Sequence, residues 1–260
     1  MRFCISLRDG GGVKKVSDFI KESLLKEGFV YDEINPELVI SVGGDGTFLR
    51  AIQKYFLIKP LFANINFGNL GYLCEYTEKE LKEFIVDLLD KNHAEKEITL
   101  LEAKYSDKTY YALNEFRIES SKGDTLVFDV YINDTYLETL KADGCLISTS
   151  IGSSAMARSL GGALVDNEIE MIQFVEKAPI QNRTYESIRS PFVLQKDKVI
   201  KIENIKNDEF FIYYDSKSDY LKNYHDDIVI KLSDKKVRVL KNTRNNYIKK
   251  THEAFINDRS

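Results

Sequence analysis

The chain of 260 residues has only three cysteines, Cys4, Cys74 and Cys145, and they lie far apart. Their odd number and wide spacing argue against a disulfide framework and against a zinc motif. We expect all three to be small buried residues of a protein that works in a reducing compartment.

Long apolar runs are also missing. No stretch approaches the ~18 apolar residues of a membrane span, and residues 1–5 lack the apolar core of a signal peptide. Basic charge is not in excess, since 37 Lys and Arg face 41 Asp and Glu, a net charge of −4. The sequence therefore predicts a cytoplasmic protein with no nucleic-acid partner and no membrane partner, in which any anionic ligand needs a local site.

Internal repeats and a Pro- or Gly-rich linker are absent as well, so two adjoining domains are expected, with the ligand in the crevice between them. Strands alternate with helices up to about residue 96, which is typical of a parallel sheet whose ligands lie at the carboxyl ends of the strands. Thr77 and Glu80 form a capping box that predicts a helix start. The fold class is an α/β N-terminal domain over residues 1–96 with a Rossmann-like parallel sheet, followed by a β-rich C-terminal domain over residues 97–240.

The β-rich part has the alternating pattern of strands separated by turn sequences. A polar, helix-like tail with possible anchors at Tyr247 and Phe255 follows it. The predicted strands are Ile98 to Tyr105, Tyr110 to Ile118, Leu126 to Ile132, Tyr136 to Leu140, Val199 to Ile202, Phe210 to Tyr214, Ile228 to Leu232 and Val237 to Leu240.

The most informative segment is Gly43-Gly44-Asp45-Gly46-Thr47, between an apolar strand and a helix. Glycines at the start of a helix expose backbone amides to which a phosphate can bind. A carboxylate would repel that phosphate unless it handles a hydroxyl proton or a metal ion, which indicates a kinase. The alternative is that Asp45 only turns the chain or caps the helix.

Other segments supply polar groups suited to a nucleotide. Asn114 and Glu115 offer an amide donor beside a carboxylate, although neighbours on a strand face opposite ways unless the strand ends there. The alternative is a solvated strand end. The small hydroxyl residues of 148–154 suit close contact with phosphates or sugars, or else form an ordinary serine-rich loop. The glycines of residues 66–73 let the backbone approach a ligand or a neighbouring loop.

Taken in order, these motifs resemble bacterial NAD kinases of the Gram-positive type over nearly the whole chain. The motifs are GGDGTFL at Gly43, NFGNLGYL at Asn66, ALNE at Ala112, ADGCLISTSIGSSA at Ala142, SLGGAL at Ser159, APIQNR at Ala178 and SPFVL at Ser190.

The resemblance implies that ATP and Mg²⁺ phosphorylate the 2′-hydroxyl of the adenosine ribose of NAD, giving NADP, with Asp45 as base or orienter of that hydroxyl. It implies a phosphate loop of Gly43, Gly44, Gly46 and Thr47, and no metal ligand fixed by sequence. It also implies that residues 241–260 pack back on the first domain, and that homo-oligomers, expected to be tetramers, share their sites. The NAD contacts it implies are Gly46, Asn114, Glu115, Asp143, Ser154, Ala155, Ser159, Ala178 and Ile180.

Two positions depart from the family pattern. Ala142 stands where Gly is usual, and Met156 stands where a tyrosine normally lies against the dinucleotide. Met156 replaces the apolar area of that ring but not its stacking.

Two alternatives to NAD kinase stay open. The GGDGT motif also fits another kinase of this type, acting on a lipid or a sugar phosphate. Met156 and Ala142 fit a nucleotide-binding regulator that has lost catalysis.

Overall fold

A computed structural model describes residues 1–8, 10–68, 71–90, 93–222 and 226–256 of the chain. The chain forms two units. Unit 1 comprises Met1–Ile98 and Lys236–Ser260, and unit 2 comprises Thr99–Lys235.

Unit 1 is built on a parallel sheet. Strand β1 pairs in parallel with β2 and β3, β3 with β4, and β4 with β5. The predicted Rossmann-like sheet is confirmed, and its two central strands, β3 and β4, are buried along their whole length. The strands are β1 (Arg2–Leu7), β2 (Val30–Tyr31), β3 (Leu38–Gly43), β4 (Leu61–Asn66) and β5 (Tyr76–Thr77).

Four helices belong to this unit: α1 (Val13–Lys26), α2 (Asp45–Tyr55), α3 (Leu81–Leu89) and the C-terminal α5 (Tyr247–Phe255). The predicted capping box between Thr77 and Glu80 is confirmed, but it opens a short 3₁₀ turn, Glu78–Glu80, that leads into α3. Two further 3₁₀ turns lie at Phe56–Ile58 and Ile151–Ser154.

The core of unit 1 forms where one face of the sheet meets α1 and α3. Ile20 and Leu24 on α1, and Phe84 on α3, pack against Ile40 and Ile65 of the sheet, all of them with no exposed surface. Burial of this apolar area, at about 25 cal/mol per Å², holds the sheet rigid beneath its carboxyl end.

Unit 2 contains an antiparallel sheet of six strands in the order β13-β12-β11-β8-β15-β16, and a second antiparallel set that includes β10-β9-β14-β17. Its helix is α4 (Met156–Ser159). The strands that lie wholly or mostly in unit 2 are β6 (Glu95–Tyr105), β7 (Lys108–Ala112), β8 (Glu115–Ser120), β9 (Leu126–Ile132), β10 (Thr135–Ala142), β11 (Gly144–Thr149), β12 (Met171–Lys177), β13 (Phe192–Gln195), β14 (Ile200–Glu203), β15 (Glu209–Tyr214), β16 (Lys217–Lys222) and β17 (Ile228–Leu240).

The inner faces of these two sheets form one core. Phe116, Phe174 and Phe210 of the six-stranded sheet pack with Phe128 and Ile200 of the other set, and all five are fully buried. The predicted β-rich C-terminal domain is confirmed as two facing sheets.

Two parts of the predicted strand pattern were wrong, and so was part of the expected donor segment. Residues 110–118 form two strands, β7 and β8, because the chain bends at Leu113 and Asn114. The two strands expected at 228–232 and 237–240 are one strand, β17, which continues through the polar residues 233–236. Part of the expected serine-rich donor segment is β11, and all six of its residues are buried.

All three cysteines are buried free thiols, as the sequence predicts. Among the described residues, no helix is both long enough and apolar enough to cross a membrane.

Candidate functional site

Asp45 is the first residue of α2, directly beyond the carboxyl end of β3. Gly44 is the N-cap, so Asp45 does not cap the helix as the alternative interpretation held. Its carboxylate instead accepts the backbone amides of Tyr72 (2.9 Å, Oδ2) and Leu73 (3.0 Å, Oδ1). The side chain is thereby fixed to a neighbouring loop, and the remaining lone pairs of its oxygens can accept a further hydrogen bond.

The loop approaches Asp45 closely because residue 71 is glycine. A Cβ at Gly71 would lie 2.6 Å from Asp45 Oδ1 and 2.8 Å from Cys74 Sγ, so no other residue fits without displacing the carboxylate. Asn66 shapes the same loop, since its Oδ1 accepts the Gly71 amide at 3.0 Å. The prediction for residues 66–73 extends to Asn69 and Leu70, which lie outside the described residues.

The electrostatics of Asp45 are set by two opposing effects. Burial raises the pKa of its carboxyl, while the amides of Leu73 and Tyr72 and the charge of Lys250 lower it by less. A carboxylate with a raised pKa is a better proton acceptor once ionised, which suits a group that faces a hydroxyl.

The four predicted phosphate-loop residues differ in exposure. Gly46 is exposed, and a Cβ added at Gly44 would meet no atom within 4 Å, so the backbone there is open to a ligand. Gly43 is buried and Thr47 is only 3% exposed. The structure therefore gives Gly43 and Thr47 a packing role within the turn.

A second group of polar residues lies in unit 2, where β7 ends and β8 begins. Asn114 and Glu115 are only 6% and 7% exposed, so the interpretation of a solvated strand end was wrong. The strand does end there, which removes the constraint that neighbouring side chains face opposite ways. The carboxylate of Asp215 accepts the amides of Leu113 and Asn114, both at 2.8 Å, and fixes this bend.

Two atoms of this group lack partners. Within the described part of the chain, Asn114 Oδ1 and Glu115 Oε2 are buried without a hydrogen bond. Burial, and then the nearby Asp215 carboxylate, raise the pKa of Glu115 to about 8. At neutral pH the side chain therefore holds a proton, and Glu115 and Asn114 together offer a donor and an acceptor to a polar ligand.

The hydroxyl groups at the end of β11 and in the serine-rich segment after it mostly donate to main-chain oxygens. Thr149 Oγ1 donates to Leu113 O at 2.8 Å, Ser153 Oγ to Ser150 O at 2.6 Å, and Ser154 Oγ to Ile151 O at 3.0 Å. Gly152 is required here, because a Cβ would clash with the backbone of Asn114. The turn thus places Ser154 and Ala155, both partly exposed, beside the Asn114 group.

The structure separates the remaining predicted contacts from this group. Ala178, with a positive φ of 50°, and Ile180 lie beside Asp143, since the Ile180 amide donates to Lys141 O at 2.8 Å. Asp143 precedes β11, whereas Asn114 is bonded to Thr149 at the far end of that strand. Six residues of extended chain put the two groups about 20 Å apart along the strand. Ser159, at the end of α4, is exposed.

This chain is similar to known proteins over nearly its whole length. A family model described as the ATP-NAD kinase C-terminal domain matches residues 113–242. The chain is 33% identical to NAD kinase 1 of Oceanobacillus iheyensis over 99% of both chains, and 33% identical to the NAD kinase of Staphylococcus aureus over 93% of this chain and 91% of that one. This chain belongs to the NAD kinase family.

Solved structures show that it has the NAD kinase fold. An NAD kinase from Archaeoglobus fulgidus in complex with ATP superposes with a TM-score of 0.80 at 23% identity, over 97% of this chain and 99% of that one. Yeast NADH kinase complexed with NADH gives a TM-score of 0.84 at 17% identity, over 100% and 88%.

The role of Asp215 in holding the bend at Leu113 and Asn114 was not predicted from the sequence of this NAD kinase. Asp215 follows β15, has a positive φ of 52°, and acts on main-chain amides about 100 residues earlier in the chain. No local sequence pattern predicts a contact between residues so far apart in the chain. The available signal for this contact was the position of Asp215 immediately after a strand. An aspartate at such a position is more commonly explained by its preference for turns.

Proposed function

We propose that the protein is an NAD kinase that transfers the γ-phosphoryl group of ATP to the 2′-hydroxyl of the adenosine ribose of NAD, giving NADP. The observation that carries the proposal is the Asp45 carboxylate, fixed by two main-chain amides at the start of α2. Family membership and the open backbone at Gly44 and Gly46 support the same reaction.

In this reaction Asp45 accepts a hydrogen bond from the ribose hydroxyl and aligns its oxygen with the phosphorus. Phosphoryl transfer has a loose transition state, so positioning and charge neutralisation outweigh removal of the proton. Asp45 therefore acts first as an orienter of the nucleophile, and takes its proton as the new bond forms.

The unpartnered atoms of Asn114 and Glu115 are assigned to the dinucleotide, because a polar ligand would satisfy both. We assign the remaining NAD contacts to the positions that the family resemblance indicates. These are Gly46, Asp143, Ser154, Ala155, Ser159, Ala178 and Ile180.

We also propose Mg²⁺ as the metal that accompanies ATP, where it neutralises phosphate charge. Among the described residues, no three His, Cys, Asp or Glu side chains gather closely enough to hold a metal ion. Mg²⁺ is commonly held by one or two carboxylates together with substrate phosphates and water, so Asp45 and the ATP phosphates are the donors that fit.

The protein is further proposed to be a cytoplasmic homo-oligomer, with a tetramer as the expected form. The free buried thiols support a reducing compartment. The separation of Asp143 from Asn114 along β11 supports an oligomer in which a second copy supplies Asp143, Ala178 and Ile180 to a shared site.

Light scattering tests the oligomeric state, and particles with the mass of a single chain would contradict the proposed oligomer.

The test of the reaction is NADP formation by the purified protein given NAD, ATP and Mg²⁺, followed with an NADP-specific dehydrogenase. Asp45→Asn is expected to keep its fold and its NAD affinity while turnover falls by orders of magnitude. The matched control is Asp18→Asn, because Asp18 is an exposed aspartate of the same unit. Full activity in Asp45→Asn would remove Asp45 from the mechanism.

The same assay separates the two alternatives. A lipid or a sugar phosphate accepted in place of NAD would identify another GGDGT-type kinase. NAD binding without turnover, under every donor tried, would identify a regulator that has lost catalysis.

A further inference from the structure

The C-terminal helix α5 lies outside residues 113–242, which the family model matches. Asn246 caps it, since its side chain accepts the Lys249 amide at 2.8 Å. Tyr247, Thr251 and Phe255 follow one another at intervals of four residues, which places all three on one side of the helix.

All three side chains contact Tyr72. The Phe255 ring stacks on the Tyr72 ring with centroids 5.6 Å apart, and the Tyr247 ring meets it edge-on at 5.7 Å. Thr251 Oγ1 lies 2.9 Å from the Tyr72 hydroxyl and itself donates to Tyr247 O. The Tyr72 hydroxyl is therefore the donor, and the ring is held on three sides.

Tyr72 is also one of the two residues whose amides hold Asp45. Its ring contacts α5, while its main-chain N–H donates to Asp45 Oδ2, and the next amide, that of Leu73, donates to Oδ1. Any movement of the ring that rotates the backbone at Tyr72 changes the direction of both donors.

A buried ion pair reinforces this connection one turn away. Lys250 Nζ lies 3.0 Å from Glu75 Oε1, with side chains that are only 13% and 15% exposed. Glu75 also holds the chain before α5, because its main-chain oxygen accepts the side-chain amides of Asn242 and Asn245. The segment 72–75 and the helix are thus joined through side chains at both ends of the segment.

We propose that α5 is the positioning element of the Asp45 carboxylate, acting through the Tyr72 ring to keep the amides of Tyr72 and Leu73 directed at it. Tyr247, Thr251 and Phe255 are positioning residues, and the ion pair between Lys250 and Glu75 holds the helix to the same segment. The inference rests on the proposed function only for its kinetic consequence, because the contacts exist whatever the substrate.

Phe255→Ala tests the ring contact. Loss of one stacked ring is expected to lower kcat for NADP formation by about 3- to 10-fold while the KM for NAD changes less than about two-fold. Phe255→Tyr, which keeps the ring, is expected to restore kcat. Ile256→Ala is the matched control, since Ile256 is the next residue and is 68% exposed.

Hydrogen exchange supplies a readout that does not need turnover. The amides of Tyr72 and Leu73 are expected to exchange about 10-fold faster in Phe255→Ala than in the wild type or in Ile256→Ala. If the wild type forms no NADP, the proposed reaction fails, but faster exchange at these amides still supports the positioning role. Unchanged exchange, or a rise in KM with kcat intact, overturns the proposal.

Discussion

Replacing Glu138 with glutamine is expected to stabilise the protein at alkaline pH. Glu138 and Glu176 are 5% and 8% exposed, and among the described residues Glu138 Oε1 and Glu176 Oε1 are both buried without a hydrogen bond. Glu138 Oε2 accepts the amide of Ile188 at 3.2 Å, and Glu176 Oε2 accepts that of Arg189 at 2.7 Å. The pair therefore anchors the segment that follows Ile180, and it needs one proton to do so without repulsion.

The sign and the magnitude follow from the pKa of Glu138. Burial, and then the Glu176 charge, raise that pKa from 4.5 to about 7. The contribution of this proton to the free energy of unfolding is complete below pH 4.5, falls as the pH rises because the unfolded chain releases the proton first, and is lost above about pH 7. At about 1.4 kcal/mol for each pH unit between the two values, the loss is about 3 kcal/mol.

Glutamine has no proton to lose. Its oxygen can still accept the Ile188 amide, and its NH₂ group can donate to Glu176. Urea unfolding of the wild type and Glu138→Gln at pH 4, 7 and 9 is expected to show nearly equal stability at pH 4 and a gain of about 3 kcal/mol at pH 9. Glu186→Gln, at an exposed position of the same segment, is the control. Equal pH dependence in all three proteins would refute the raised pKa of Glu138.

Three other changes test separate parts of the structure. Gly71→Ala is expected to lower kcat about 100-fold, because its Cβ would lie 2.6 Å from Asp45 Oδ1; steady-state kinetics measures it, and normal turnover would contradict the close approach. Phe174→Ala is expected to cost about 3–5 kcal/mol in urea unfolding, since the ring is fully buried, and a loss under 1 kcal/mol would contradict its place in the core. Met156→Tyr is expected to tighten NAD binding by about 3- to 10-fold in calorimetry, because residue 156 is 40% exposed and a ring adds stacking; unchanged affinity would show that the ring is not needed here.

Regular elements with clear periodicity were predictable from the sequence. The alternation of strands and helices in residues 1–90 gave the parallel sheet, and the GGDGT turn gave the position of Asp45 at a strand end. These features depend on neighbouring residues, so local patterns are sufficient.

Features that depend on distant residues were not predictable. The serine-rich segment resembles a loop, but its first residues, Ser148 and Thr149, lie in the fully buried strand β11. There the Ser148 hydroxyl accepts from the Gln173 side chain and the Thr149 hydroxyl donates to Leu113 O. The bend at Asn114 is fixed by Asp215, about 100 residues later. Likewise, nothing near Asp45 in sequence indicates that its partners are the amides of residues 72 and 73.

Those partners have an evolutionary consequence. A donor that belongs to the main chain is present whatever side chain the residue carries, so a substitution at residue 72 or 73 leaves the donor itself in place, although one at residue 72 also removes the ring contact that directs it. Proline alone, which has no amide hydrogen, removes a donor outright. Selection on this loop therefore acts on the path of the backbone and on the ring contact at Tyr72, and the side chain of residue 73 can change while its amide still holds the aspartate.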